Sequence, residues 1–300
     1  MDNQKIIETE KIKPKVIPIA KKTAKNTDAT VLKESKSFTV VAIGASAGGL
    51  EAITQLLQNL SPVTNMAYII VQHLSPDHKS MLTSILSKIT KMPVQEIDDM
   101  EKIEPNNVYV IPHDKEIEVI DGHIKLLPRT KNRTSNLSID ILFSSLAETH
   151  KENVIGIVLS GSASDGTRGL LEIKHAGGIT FAQDDSAKFA SMPQSAINSG
   201  AVDFVLSPIE IAHELLLLGK SSFLKPVEFQ PEDEIENQNP DLHVILELLF
   251  KVKNVDFSQY KMNTIKRRIL RRMLIQKIKT IADYCDILKE KNTELEVLFQ

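Results

Sequence analysis

The 300-residue chain has no tryptophan, and only 5% of its residues are aromatic. Few rings are available to stack on bases, and a formal net charge of −3 gives no general attraction to phosphates, so we expect no nucleic-acid partner. The single cysteine, Cys285, cannot form a disulfide within the chain, which favours a reducing, cytoplasmic location. No apolar run reaches the roughly 18 residues that a membrane-spanning helix needs, so no span is predicted.

Composition divides the chain into four parts. Residues 1–37 are rich in lysine and threonine with little periodicity, which is typical of a disordered basic arm. Residues 38–219 are predicted to form one catalytic domain, residues 220–240 an acidic, proline-containing linker, and residues 241–300 a small helical domain. The 42% of hydrophobic residues is enough for globular cores.

Buried strand-like runs alternate with helical patterns in the second part. Apolar runs predict strands at 40–43, 67–71, 108–111, 154–159, 178–182 and 204–206, and Asp121-Gly122 predicts a β-hairpin. Helices are predicted at 48–60, 77–90, 138–150, 167–176, 193–199 and 208–219. This alternation predicts an α/β fold: a doubly wound, mostly parallel sheet with helices on both faces and a β-hairpin, followed by a small all-α domain.

The most informative motif is Gly44-Ala45-Ser46-Ala47-Gly48, at the end of the first predicted strand and before a helix. In this context a Gly-x-Ser-x-Gly turn raises a nucleophilic serine above the sheet edge. Two alternatives stay open from the motif alone: a loose dinucleotide-binding turn, or a turn without chemistry. The dinucleotide reading is weakened because the next strand ends in Gln72-His73 rather than in an acidic residue.

Two further residues follow the ends of predicted strands. His73 comes directly after the second strand, and Asp165 lies in the loop that follows the strand at 154–159. The carboxyl ends of parallel strands share one sheet edge, so Ser46, His73 and Asp165 are predicted to form a catalytic triad. Taken singly, His73 could be a surface histidine and Asp165 a helix cap.

Residues 38–219 resemble the catalytic domain of the chemotaxis protein-glutamate methylesterase family (CheB). The resemblance rests on Ile43 to Gly49, Val71-Gln72-His73, Ser160 to Gly166, Ala176 to Asp184, Met192 to Ile197 and Gly200 to Asp203. It implies Ser46 as nucleophile, His73 as general base and acid, and Asp165 as the group that orients His73. The implied reaction is hydrolysis of γ-glutamyl methyl esters on receptor helices, with glutamine deamidation by the same route. No metal or organic cofactor is implied.

The resemblance also implies roles for a few flanking residues. The backbone N–H groups of Ala47 and Ser162 would form the oxyanion hole, and Met192 would lie at the cleft. The sequence departs from the family at Gly161-Ser162-Ala163, where Gly-Met-Gly is usual, and at residues 134–136, where His-Arg-Pro is usual. These changes leave the identity of the substrate open.

Residues 241–300 resemble the N-terminal helical domain of the chemotaxis receptor methyltransferase family (CheR). Residues 251–280 hold ten lysines or arginines and one acidic residue, and the predicted partner-docking residues are Lys266, Arg267, Arg268, Arg271 and Arg272. The i, i+4 spacing places several of them on one helix face. The resemblance implies a methylesterase–methyltransferase fusion truncated before its S-adenosylmethionine-binding domain, so methyl transfer is not expected of this fragment.

The sequence therefore predicts a serine esterase that acts on methylated chemoreceptor helices or a similar signalling protein. The alternative is a non-catalytic scaffold that docks acidic receptor helices through its basic helix.

Overall fold

The computed structural model describes residues 38–73, 81–112, 115–128, 137–220, 240–255 and 262–299, without the side chains of 220, 263, 264 and 267. All of them belong to one compact unit, residues 36–300. The predicted arm (1–37) and most of the predicted linker lie outside the described residues. Within the described part of the chain, no helix is both long enough and apolar enough to cross a membrane.

A seven-stranded sheet forms the centre of the fold, with the order β10-β9-β8-β1-β2-β5-β3 and every neighbouring pair parallel. A second, antiparallel sheet has the order β4-β7-β6. The strands are β1 Thr39–Ala45, β2 Met66–Gln72, β3 Val94–Glu96, β4 Glu101–Lys102, β5 Val108–Val110, β6 Lys115–Ile120, β7 His123–Pro128, β8 Val154–Val158, β9 Ile179–Gln183 and β10 Phe204–Leu206.

Helices cover both faces of the central sheet, because its side chains alternate between two apolar cores. Along β1, Val41 and Ile43 pack toward helices α1, α2 and α6, whereas Val40 and Ala42 pack toward α3, α4 and α5. The helices are α1 Gly49–Gln58, α2 Leu82–Leu86, α3 Ser138–His150, α4 Thr167–His175, α5 Ser191–Asn198, α6 Pro208–Lys220, α7 Pro240–Lys253, α8 Met262–Ile275, α9 Ile281–Glu290 and α10 Asn292–Phe299.

The predicted fold class is confirmed. Asp121 and Gly122 both have positive φ (49° and 73°), as a two-residue hairpin turn requires, and they join β6 to β7. Strands β3 and β4 were not predicted, because runs of three and two residues carry no periodicity. The described part of the helix predicted at 77–90 ends at Leu86.

Helices α7 to α10 form the helical segment (residues 240–299) with an apolar core of its own. Ile245, Ile269, Tyr284 and Leu288 are fully or almost fully buried in that core, together with Cys285. Cys285 is thus a packing residue, and burial raises the pKa of its thiol.

The helical segment contacts the central sheet at the amino edge, where the parallel strands begin. Arg271 of α8 donates from Nε to the Gly178 carbonyl (2.9 Å) and from Nη2 to Asp203 Oδ2 (2.5 Å). Gly178 directly precedes β9, and Asp203 directly precedes β10. Lys277 pairs with Glu214 of α6 at 2.9 Å. The contacts of Arg271 therefore lie at the edge opposite to the one where β1 and β2 end.

Candidate active site

Ser46 is the first residue after β1, the middle strand of the sheet. Its N–H donates to the Ser160 carbonyl (3.0 Å), and its carbonyl accepts from the Gly49 N–H (2.9 Å). The chain therefore turns sharply at Ser46 and enters α1 three residues later. The strand–turn–helix arrangement predicted for a nucleophilic serine is present here.

The turn after Ser46 requires glycine at position 48. Gly48 has φ of +73°, in the left-handed region that favours glycine. A Cβ atom there would lie 2.7 Å from Ser160 Oγ and 3.1 Å from the Phe189 ring. The buried Ser160 hydroxyl donates to the Ala47 carbonyl (2.8 Å) and accepts from the Phe189 N–H (3.0 Å). Ser160 thus fixes the turn, a role that the sequence analysis did not assign.

His73 is placed beside Ser46 by strand register. Ala45 and Gln72 are direct partners in the parallel β1–β2 pair, so the residues that follow them, Ser46 and His73, come next in the same register. The His73 N–H donates to the Ala45 carbonyl at 3.0 Å, which extends the pairing past the ends of the strands.

Asp165 completes the group from the other side of β1. Strand β8 pairs with β1 opposite to β2, and its following loop carries Asp165. The Nε2 atom of His73 lies 2.7 Å from Asp165 Oδ2. The Asp165 side chain is only 2% exposed. A buried carboxylate in contact with an imidazole orients the ring and stabilises its protonated form.

Three backbone donors hold the Asp165 carboxylate in position. Oδ2 accepts from the Ile139 N–H (3.0 Å), and Oδ1 accepts from the N–H groups of Asp140 (3.0 Å) and Gly166 (2.9 Å). With His73, each carboxylate oxygen therefore has two donors. An ionised carboxylate can only accept hydrogen bonds, which matches this set of donors.

The contact with Asp165 determines which nitrogen of His73 can act as a base. In the neutral ring the nitrogen that faces the carboxylate carries the proton, and that nitrogen is Nε2. Nδ1 is then unprotonated and can accept the proton of Ser46. No hydrogen bond joins the Ser46 hydroxyl to the His73 ring among the described residues, and such bonds are often long before substrate binds.

Two unpaired backbone donors lie in the loops that follow β1 and β8. Within the described part of the chain, the N–H groups of Ala47 and Ser162 have no acceptor. The next residue, Ala163, has a φ of +69°. Both donors of the predicted oxyanion hole are therefore free to bind an anionic oxygen.

Met192 lies next to Gly161, and Phe189 lies next to Gly48. Met192 is fully buried, and a Cβ on Gly161 would lie 2.6 Å from its methyl group and 2.9 Å from Ser46 Cβ. The buried Met192 side chain thus packs against Gly161, and its role at the cleft stays a prediction. Phe189 is 42% exposed beside Gly48, and nothing in the sequence around it indicated this position.

Asp140 is a second carboxylate close to Asp165. Its Oδ1 accepts from the Gly169 N–H at 2.8 Å, which ties α3 to α4. Burial raises the pKa of the Asp140 carboxyl to about 6; the negative charge of Asp165 adds to this rise, while the Gly169 N–H opposes it. A carboxyl group with a raised pKa therefore lies close to Asp165.

The predicted docking residues do not all lie on one exposed basic face. Arg271 is bound to Asp203 and Gly178, and Arg272 makes a two-bond pair with Glu294 (2.8 and 2.7 Å). Arg268 is exposed and Lys266 is half-buried, whereas the Arg267 side chain lies outside the described residues. Docking through Arg271 or Arg272 would require breaking these internal ion pairs.

A family model described as "CheB methylesterase" matches residues 41–215, which is more than half of the chain. The chain belongs to the CheB methylesterase family. A second model, described as "CheR methyltransferase, all-alpha domain", matches residues 240–300. The resemblance to a fusion of a CheB domain with a CheR helical domain is thereby confirmed.

Named relatives agree with this assignment. The chain is 37% identical over 182 residues to a "Protein-glutamate methylesterase/protein-glutamine glutaminase" of Photorhabdus laumondii, covering 59% of this chain and 52% of the relative. A protein of the same name from Escherichia coli (strain K12) is 34% identical over the same length and with the same coverage. This CheB-family chain thus spans about half the length of the curated relatives it matches.

The fold also matches a solved CheB structure. The "Thermotoga maritima CheB methylesterase catalytic domain" superposes with a TM-score of 0.56 at 28% identity, covering 61% of this chain and 99% of that one. No group of three or more potential metal-ligating side chains occurs among the residues that the structure describes.

Proposed function

We propose that this chain is a protein-glutamate methylesterase that hydrolyses γ-glutamyl methyl esters on the helices of a chemoreceptor-like protein. The observation that carries the proposal is the 2.7 Å contact between His73 Nε2 and Oδ2 of the buried Asp165, next to the register position of Ser46. The names of the relatives support the choice of substrate and of the second reaction, deamidation of glutamine.

The first half of the reaction forms an acyl-enzyme. Ser46 Oγ attacks the ester carbonyl carbon while His73 Nδ1 takes its proton, and the Nε2–H bond to Asp165 stabilises the imidazolium. The N–H groups of Ala47 and Ser162 donate to the oxyanion of the tetrahedral intermediate. The intermediate then collapses, His73 protonates the departing methoxide, and methanol leaves.

The second half restores the enzyme. Water attacks the acyl carbon while His73 takes a proton, and the new intermediate releases Ser46 and a free glutamate carboxylate. A glutamine side chain would follow the same route with ammonia as the leaving group. None of these steps calls on a metal or organic cofactor, and the proposed site residues are Ser46, His73 and Asp165 with the two backbone donors.

The scaffold alternative is less well supported by the contacts of the basic helix. Two of its arginines, Arg271 and Arg272, are paired with carboxylates inside the chain. The catalytic residues, in contrast, have their supporting hydrogen bonds in place. We further propose that the protein acts in the cytoplasm, on the basis of its single, buried cysteine.

The test is methanol release from a methylated receptor cytoplasmic fragment. We expect release with the intact chain and with Ser84→Ala, an exposed serine on α2, and loss of release with Ser46→Ala. An aligned triad supplies a rate enhancement of many orders of magnitude, so the loss should be at least about 10⁴-fold. Equal release by the Ser46→Ala variant would refute the proposal.

A further inference from the structure

A cavity of about 450 Å³ lies between the helical segment and the α/β part of the chain. One wall comes from the end of α4 and the turns after α4 and α5, and the other comes from α8 and α10. Gly177 lies two residues before β9, so the cavity is near the amino edge of the sheet. It is therefore separate from the site around Ser46, which lies past the carboxyl end of β1.

The charged side chains that line this cavity are all basic. They are Lys174, His175, Arg268, Arg271 and Arg272, and no acidic side chain is among the lining residues. A basic cluster of this kind attracts anions unless carboxylates next to it neutralise the charge. The ion pairs of the five residues therefore decide whether the cavity is a binding site.

Neighbouring carboxylates neutralise only part of this charge. Asp203 forms ion pairs with both Lys174 (3.5 Å) and Arg271 (2.5 Å), and Glu294 forms an ion pair with Arg272 (2.7 Å). Arg268 is exposed and has no carboxylate partner among the described residues. Four permanent cations thus share two carboxylates, which leaves an excess of two positive charges before His175 is counted.

The end of α4 accounts for the position of Lys174 but not for the excess positive charge of the cavity. Lys174 is in the last turn of α4 and donates to the Gly200 carbonyl at 2.9 Å, a favourable place for a cation. Arg268 belongs to α8 and comes from the opposite wall. Its charge is therefore not a feature of the α4 terminus.

The size and lining indicate the kind of ligand. Small-molecule sites commonly enclose roughly 300–1,000 Å³, and this cavity is within that range. Leu171, Val297 and Leu298 give it an apolar wall, and a side chain at Gly200 would meet nothing within 4 Å. Guanidinium groups bind phosphate with paired hydrogen bonds, and a phosphate monoester carries nearly two negative charges at neutral pH.

We propose that this cavity binds a small phosphate monoester, with the phosphate at Arg268 and its neighbouring cations and the organic part against the apolar wall. Both walls would contact the ligand, so binding would favour the arrangement in which the helical segment is attached to the sheet. This site would couple the level of a phosphorylated molecule to the attachment of the helical segment.

Phenyl phosphate is a suitable probe because it combines a phosphate with a small apolar ring. We would measure its binding to the full chain by calorimetry and by thermal shift at constant ionic strength, with inorganic phosphate and phenol for comparison. The variants are Arg268→Ala and, as a matched control, Arg168→Ala, an arginine on α4 whose side chain is 80% exposed and which does not line the cavity.

We expect saturable binding of phenyl phosphate, weaker binding of inorganic phosphate and no binding of phenol. Affinity should fall at least about tenfold in Arg268→Ala and stay unchanged in Arg168→Ala. Equal affinity in Arg268→Ala and the intact chain would overturn the proposal, as would an absence of saturable binding. Because Arg268 is exposed, its removal should leave the fold intact, which the melting temperature without ligand checks.

Discussion

His73 and Asp165 are 92 positions apart in the sequence, yet His73 Nε2 lies 2.7 Å from Asp165 Oδ2. The two residues follow β2 and β8, which flank β1 on its two sides, so their contact joins the loops on either side of the strand that Ser46 follows. The order of strands in the sheet thus brings the His73 and Asp165 side chains together at the edge where Ser46 lies.

The first prediction concerns Ser160, whose hydroxyl connects Ala47 to Phe189. We expect Ser160→Ala to lower kcat by about 10- to 100-fold, because the turn that carries the proposed nucleophile Ser46 and the proposed oxyanion donor Ala47 loses a support. Stability should fall by about 1–2 kcal/mol, since two partly buried backbone groups lose a partner. Steady-state methanol release and urea unfolding measure the two effects.

Ser145→Ala is the matched control for this change. The Ser145 hydroxyl also makes two hydrogen bonds, to Val119 N–H and the Leu142 carbonyl, but away from Ser46. We expect a similar loss of stability with unchanged kcat. A parallel loss of kcat in both variants would mean that Ser160 acts only through general stability.

The second prediction concerns Phe189, the exposed ring at the rim of the site. A ring beside the nucleophile can pack on apolar groups of a protein substrate. Phe189→Ala should therefore lower kcat/KM for a methylated receptor fragment by about tenfold, or roughly 1.4 kcal/mol, and should leave a small methyl ester nearly unaffected. Phe250→Ala, which removes a similarly exposed ring from α7, is the control. Equal effects on both substrates would argue against a contact with the protein substrate.

The third prediction concerns the pH dependence of stability through Asp140. Its folded pKa of about 6 is above the ordinary value of 3.8, so between these values the folded chain holds a proton that the unfolded chain has released. The contribution of Asp140 to stability therefore falls as pH rises from about 4 to 6. Asp140→Asn should melt close to the wild type at pH 4 and above it at pH 7.

Melting curves across this pH range test the effect of Asp140. An exposed substitution in the loop after β9, Asp185→Asn, should follow the wild type throughout. If the curves of Asp140→Asn and the wild type stay parallel, the raised pKa of Asp140 does not contribute to stability.

The fourth prediction concerns the attachment of the helical segment through Arg271 and Asp203. Breaking a buried ion pair leaves the remaining charge partly uncompensated, so Arg271→Ala should reduce the free energy of unfolding by about 3–5 kcal/mol. The exposed Arg168–Glu172 pair is the comparison. Arg168→Ala should reduce the free energy of unfolding by less than about 1 kcal/mol. Similar small losses in both variants would show that Arg271 contributes no more than a surface pair.

Much of the fold could be predicted because its signals are local. The apolar runs fixed the strands β1, β2, β5, β8, β9 and β10 within a few residues, and the Asp121-Gly122 turn fixed the hairpin. Ser46, His73 and Asp165 were recognisable because each follows a strand that alternates with helices. Short strands such as β3 and β4 have no such pattern and could not be predicted.

By itself, the sequence predicted Ser46, His73 and Asp165 as the residues of the site and the edge of the sheet on which they lie. Only the tertiary structure decided that Nε2 of His73 faces Asp165, that Ile139 and Asp140 hold this carboxylate, and that Arg271 binds Asp203. The reason is physical: hydrophobic periodicity and turn chemistry act over a few residues, whereas these contacts join residues 25 to 92 positions apart. Such distances are set by strand order, register and side-chain packing, which no local pattern encodes.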